Sequence, residues 1–157
     1  MFFFPIPEGR FSTSSPEFYR WQAQALIYLF SAIYYDPFVP FVFRAPFYRF
    51  YGANIGKGVA IGCKLVDISL TTLKNHSGVG ADAMVLGHLI ANDEIYIGKV
   101  VIEEHAMAGA KSLISPGVTI KERATVGAMS LVTSGRTVPA NEVWVGTPAK
   151  QLKKHVD

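Results

Sequence analysis

Every sixth residue from Ile102 to Trp144 is apolar: Ile102, Ala108, Ile114, Ile120, Val126, Val132, Val138 and Trp144. Four residues after successive slots stand Ala106, Ser112, Val118, Ala124 and Ser130, all small or branched. A strand alternates with period two and a helix repeats near 3.6, so neither accounts for a register of six. Such a chain returns to the same corner every few repeats, and each turn buries its apolar edge only by stacking on its neighbours. An earlier phase runs through Ile55, Ile61, Asp67, Leu73, Val79, Val85, Ala91 and Ile97. Asp67 breaks it, and Ile68 is expected to take the inward place through a local shift. The step from Ile97 to Ile102 is five. It reads as one residue missing from the turn 98–101, absorbed at a corner because sliding a strand would reverse its faces.

The chain has 157 residues, half of them hydrophobic and 17% charged, which excludes a disordered polymer. A net charge of +3 without a Lys/Arg run argues against nucleic acid as a partner. Cys63 is the single cysteine, so neither an internal disulfide nor a cysteine-based zinc site can form. The sequence has no phosphate-binding glycine loop, dinucleotide fingerprint or Gly-x-Ser-x-Gly elbow. The first residues lack the positive leader of a signal peptide, and a cytoplasmic location is expected.

Three regions are expected. Residues 1–50 form an aromatic cap, 51–149 the stacked coil, and 150–157 a basic tail. In the cap, residues 1–14 read as an extended arm whose Phe2, Phe3 and Phe4 pack on something. Ser15 before Pro16 is an N-cap signal, and the helix should run from about Pro16 to Tyr35, where Asp36-Pro37 stops it. Phe18, Trp21, Ala25, Leu29 and Ala32 define one face. Leu26, Phe30, Ile33 and Tyr34 make the other side apolar as well, which suits packing in an oligomer or peripheral membrane contact through residues 18–51. Pro37, Pro40 and Pro46 make 36–50 a stiff irregular connector with room for short helical turns.

The units Ile61-Gly62, Val79-Gly80, Ile97-Gly98, Ala108-Gly109 and Val126-Gly127 resemble the hexapeptide repeat of left-handed parallel β-helices. The endings Ser115-Pro116-Gly117-Val118-Thr119-Ile120 and Val145-Gly146-Thr147-Pro148-Ala149-Lys150 are similar to the closing coils of the hexapeptide acyltransferases. More narrowly, the stretch from Gly52-Ala53-Asn54-Ile55-Gly56 to Trp144-Val145-Gly146-Thr147-Pro148-Ala149 resembles the C-terminal hexapeptide region of poly-lysine-synthetase-like and other non-ribosomal-peptide-synthetase-like proteins. The resemblance implies an all-β fold, a left-handed parallel β-helix of about five triangular coils, with the partly helical aromatic extension before it. The segment after Trp144 should then leave the prism at Pro148 and cover its end.

His76, His88 and His105 all fall at the fourth position of a repeat, beside a corner and facing outward. Coil arithmetic with the single deletion stacks His88 under His105, with Arg123 and Asn141 continuing the column. It puts His76 on another edge with Glu94 and Lys111. The resemblance implies a homotrimer with acyl-coenzyme A, acetyl-CoA above all, meeting a small acceptor in an inter-subunit groove. There a histidine would act as general base toward a hydroxyl or amine, and a nearby carboxylate could hold its other ring nitrogen. His88, in Val85-Leu86-Gly87-His88, best matches that position, with His105 and His76 as further catalytic candidates and Leu89 to Tyr96 as part of the acceptor wall. Gly109, Ala110, Gly127 and Ala128 would give the pantetheine arm a smooth wall. Lys150 would stand near the coenzyme phosphates, with Lys153 and Lys154 adding charge. His155 belongs to the solvated tail. The same small residues also serve corners that need no ligand. No metal is expected. Two other functions suit the fold: a zinc-dependent gamma-type carbonic anhydrase using His76, His88 and His105, and a non-catalytic trimeric scaffold or part of a larger synthetase-like protein.

Overall fold

Six residues make one face and one corner of a three-sided coil. The computed structural model describes residues 6–35 and 43–152. The sequence expectations for Phe2 to Phe4, for Asp36, Pro37 and Pro40, and for Lys153, Lys154 and His155 lie outside them. One face stacks β2 (Asn54–Ile55), β5 (Thr71–Leu73), β10 (Val100–Ile102), β13 (Thr119–Ile120) and β16 (Thr137–Val138). A second stacks β3 (Ala60–Ile61), β6 (Gly78–Val79), β11 (Met107–Ala108), β14 (Thr125–Val126) and β17 (Val143–Gly146). The third stacks β4 (Lys64–Leu65), β7 (Met84–Val85), β12 (Leu113–Ile114) and β15 (Leu131–Val132). All of these pairings are parallel. The apolar slots meet inside, where Leu73, Val85, Ile102, Ala108, Ile114, Ile120, Val126 and Val138 are fully buried.

Corners repeat as regularly as faces. Three residues after the slots, His76, Asp82, His105, Lys111, Arg123, Met129 and Asn141 take φ between 56° and 62°. This left-handed backbone turns the chain onto the next face, and Asn, Asp and His tolerate it better than most residues. The glycine directly after a slot answers a different demand. A Cβ on Gly80 or Gly109 would stand 2.5 Å from the backbone nitrogen of Ala110 or Ala128 in the next coil. The coils thus approach too closely there for any side chain.

Two places depart from the expected register. Leu65, rather than Ile68, fills the ladder slot beside Val85, while Ile68 is also buried in the core. A short 3-10 turn, Ile68–Leu70, takes up the extra residues and puts Asp67 under the N-terminal helix. The second departure corrects the single-deletion reading. Leu73 pairs with Ile102, 29 residues on, whereas the other rungs of that face repeat at 18. Between them the chain leaves the prism as an antiparallel hairpin of β8 (His88–Ala91) and β9 (Glu94–Ile97). Ala91 and Ile97 are therefore not prism slots. Ile95 and Ile97 instead build a second core with Ile6, Trp21 and Leu70.

The N-terminal segment joins both cores. Strand β1 (Gly9–Ser12) pairs antiparallel with β9, giving a sheet in the order β1-β9-β8. Helix α1 (Pro16–Tyr35) follows, with Ser15 Oγ accepting from the Phe18 N–H at 3.3 Å. Its buried stripe is Trp21, Gln24 and Tyr28, and Phe18 and Ala25 pack beside it. Leu29, assigned to that stripe from periodicity, is exposed along with Tyr19 and Leu26. No helix among the described residues is long and apolar enough to cross a membrane. Helix α2 (Arg44–Phe50) closes the first coil: Arg49 donates to the carbonyls of Ile55 and Gly56, and Tyr48 is buried on the prism core. At the other end the chain folds back instead of departing. Strand β18 (Ala149–Gln151) pairs antiparallel with β17 across a turn containing a cis Thr147–Pro148 bond.

A charged ladder runs outside one corner. Glu103 lies 3.4 Å from Lys74 Nζ and 3.5 Å from Lys121 Nζ and accepts from the Glu122 N–H at 3.2 Å. Burial pushes its carboxyl up, but the two lysines and the N–H outweigh burial and hold it below the usual carboxylate range. A lowered value stabilises the fold above the ordinary carboxylate pKa, and the gain is lost as pH falls through the folded value. Glu103→Gln should therefore lower the melting temperature at pH 7, and the gap to wild type should close in acid. In the core, Ile114→Ala should cost about 3 kcal/mol by urea unfolding, since the slot is fully enclosed by the coils on either side.

Candidate functional site

The hairpin starts where Val85, the last slot of its coil, gives way to Leu86-Gly87-His88. His88 opens β8 opposite Ile97 and does not sit at a left-handed corner. Asp67 comes up beneath it from the bend after β4. Asp67 Oδ2 lies 2.7 Å from His88 Nδ1 and accepts the Gly87 N–H at 2.8 Å. Asp67 Oδ1 accepts the Trp21 Nε1–H at 3.0 Å. The carboxyl group is almost wholly enclosed, its side chain 4% exposed, while the imidazole keeps 21%. The Trp21 ring covers one side of the imidazole, with centroids 4.3 Å apart.

A carboxylate on Nδ1 fixes the proton of a neutral imidazole on that nitrogen. Nε2 is then the lone-pair nitrogen, available to accept a proton from a bound molecule. The Trp21 indole N–H and the Gly87 N–H both donate to Asp67. Among the described residues this is a buried carboxylate aimed at a partly exposed histidine.

The other two histidines are placed elsewhere, which corrects the expected stacking of His88 under His105. His105 lies over His76, one coil away, with parallel rings whose centroids are 5.2 Å apart. Both belong to the corner between the first and second faces, and both are exposed. The hairpin added 11 residues to the coil, so the neighbour of His105 is 29 residues back rather than 17. Arg123 and Asn141 do continue the His105 column, through Arg123 N to Glu104 O at 3.0 Å and Asn141 N to Glu122 O at 3.0 Å. Lys111 stands instead over Asp82, since its N–H bonds to Ala81 O at 2.9 Å, and Glu94 is on the hairpin. Neither joins His76. Among the described residues no three His, Cys, Asp or Glu side chains gather to hold a metal ion.

Gly109, Ala110, Gly127 and Ala128 form one column at the corner between the second and third faces, the glycines half-buried and the alanines exposed, with Met129 N bonding to Ala110 O at 2.9 Å. The close approach of coils accounts for these glycines without a ligand, yet the alanines leave a smooth wall. His88 belongs to the next corner, so within one chain the column and the histidine do not share a corner. Lys150, on β18 opposite Val145, lines a cavity of about 170 Å³ with Arg136, Trp144 and Gln151.

The stretch Leu89 to Tyr96 divides between two sides of the small sheet. Leu89 and Tyr96 are paired opposite Arg10 and share its side, whereas His88 and Ile97 share the other. Arg10, Leu89, Glu94, Tyr96, Ser134 and Gly135 line a cavity of about 480 Å³ on that far side. Trp21 and Asp67 were not read as site residues from sequence. Asp67 carried a signal, a lone acid in an apolar register. Trp21 carried none, because helical spacing marks it only as core.

Removing the carboxylate leaves the indole N–H, the Gly87 N–H and the imidazole unmatched in a closed space. Asp67→Ala should cost about 3 kcal/mol in denaturant unfolding, more than an exposed acid could.

The sequence matches no family profile and no curated protein. Its structure resembles several solved ones. These include a hexapeptide-repeat acetyltransferase from Vibrio cholerae O1 biovar eltor complexed with acetyl coenzyme A, at 22% identity and TM-score 0.67 over 94% of this chain and 93% of that one. A maltose O-acetyltransferase from Clostridium difficile 630 is similar at 16% identity and TM-score 0.66, over 97% and 95% of the two chains. A galactoside acetyltransferase in complex with coenzyme A is similar at 19% identity and TM-score 0.65, over 92% and 85%. At these identities the likeness is one of fold, and it extends over nearly the whole of this chain.

Proposed function

We propose that this protein is a coenzyme A-dependent acyltransferase that moves an acyl group, acetyl in the first instance, to a hydroxyl or amine of a small acceptor. The observation that carries the reading is the His88–Asp67 pair, with 2.7 Å between Nδ1 and Oδ2 and the carboxyl group buried. Similar structures holding acetyl coenzyme A or coenzyme A support the donor class. The acyl thioester supplies an activated carbonyl, and the rest of the chemistry is proton management. His88 Nε2 takes the acceptor's proton as its oxygen or nitrogen bonds to the carbonyl carbon. The imidazolium, stabilised by Asp67, then returns that proton to the sulfur as the C–S bond breaks. General base help of this kind is worth about 10²- to 10⁴-fold.

In this reading the protein acts as a homotrimer, and the left-handed coil of the resembling enzymes is its hand. The Ala110–Ala128 wall and His88 lie on adjacent corners of one chain, so a groove between two copies is where they would face each other. Exposed Met84, Met107 and Val143 on the prism faces and Leu26, Leu29 and Phe50 on the helices give such a contact apolar surface. Ala110 and Ala128 would flank the pantetheine arm, and Lys150, with Arg136, would meet phosphate charge. His76 and His105 stand apart from this chemistry.

The test is acyl transfer from acetyl coenzyme A to a panel of small alcohols and amines. His88→Gln should lose at least about a hundredfold in kcat and keep the wild-type fold, while His105→Gln should stay near wild type. Wild-type rates from His88→Gln would refute the assignment.

A further inference from the structure

The acyltransferase reading uses His88 and Asp67 and leaves Trp21 unassigned, although the indole touches both. The geometry points to Trp21 as a positioning residue: it locks the free oxygen of Asp67 and one face of His88, making helix α1 part of the site. This rests on the reading of His88 as base.

Three observations carry it. First, Trp21 is 9% exposed and sits among Ile6, Leu70, Ile95 and Ile97, a cluster that any large apolar side chain would satisfy. Its N–H nevertheless has a single polar destination, Asp67 Oδ1 at 3.0 Å. Second, the two carboxylate oxygens are divided. Oδ2 serves the Gly87 N–H and His88 Nδ1, and Oδ1 serves Trp21. With both oxygens bonded, the plane of the carboxylate is fixed relative to the imidazole. Third, the indole lies over the imidazole at 4.3 Å with the rings tilted by 50°. It lies against one face of the ring, while the imidazole side chain keeps 21% of its exposure.

The scaffold makes this arrangement rigid. Strand β1 pairs with β9 through four residues, and β9 pairs with β8, which carries His88. The chain then turns at once into α1, with Ser15 N bonded to Ser12 O at 3.0 Å. One small sheet therefore carries the histidine on its edge strand and, one turn after its opposite strand, the helix that supplies the indole. Among the described residues, Asp67 is the charged group in contact with His88. The effect of Trp21 on the imidazole therefore runs through that carboxylate and through shielding.

Nitrogen-15 spectroscopy of the protein tests this without any turnover. In wild type, neutral His88 should show one tautomer, protonated on Nδ1, and the Trp21 indole N–H resonance should shift with the same midpoint as His88 protonation. Trp21→Phe keeps an aromatic ring and removes the donor. It should give a mixture of His88 tautomers, a displaced acid limb in the pH–rate profile, and about a tenfold lower kcat with KM for acetyl coenzyme A unchanged. An indole resonance indifferent to His88 titration would overturn the inference, as would a Phe variant with wild-type tautomer and kcat. If Trp21→Phe fails to fold, the wild-type spectra decide alone. A wild-type protein that transfers no acyl group defeats the acyltransferase reading instead, and the spectra still judge Trp21.

Discussion

Every coil of this protein is finished by the coil above and below it. Parallel backbone ladders bring the slots of successive coils into contact, and the interior is a line of aliphatic side chains with almost no exposure. No single coil could hold this arrangement, because its apolar edge and its strand edges would both face water. The ends are the weak points. Helix α2 with Arg49 closes one, and the returning strand β18 adds a rung at the other.

The same register makes room for the His88–Asp67 pair by being broken at one corner in two successive coils. A continuous prism offers flat walls and tight corners, with no cleft deep enough to bury a carboxylate. Lengthening one coil releases the β8–β9 hairpin, and shortening the previous slot spacing to Leu65 frees Asp67 to rise beneath it. The extension before the prism then completes the enclosure with β1 and α1. The buried carboxylate and its histidine lie at the corner where the repeat fails, while the regular corners carry exposed residues such as the stacked His76 and His105.

The prism was legible in the sequence because a six-residue period has few physical explanations and the slots from Ile102 to Trp144 hold it without error. His88 was legible as a candidate through resemblance, since Val85-Leu86-Gly87-His88 matches the catalytic position of the hexapeptide acyltransferases and faces outward in the repeat. The break itself was misread. A jump of five between Ile97 and Ile102 looks like a lost residue, since a hairpin of alternating residues keeps apolar side chains at plausible positions and hides the excursion. The misplaced column of His88 and His105 followed from that one step. Asp67 looked like a fault in the core because burial of an acid is costly unless donors meet it. Its donors come from residues 21, 87 and 88, a convergence that no spacing rule reveals. Leu29 was assigned to the buried stripe because a helix apolar on most sides does not say which side the sheet takes.

The acyltransferase chemistry proposed for this protein requires the acyl donor to lie beside His88. The direct measurement is a crystal structure of the assembled protein with acetyl coenzyme A. It should show the thioester sulfur beside His88 Nε2 and the pantetheine arm along Ala110 and Ala128 of a neighbouring copy. A coenzyme bound at a corner remote from His88, or an assembly in which no neighbouring copy faces that histidine, would contradict it.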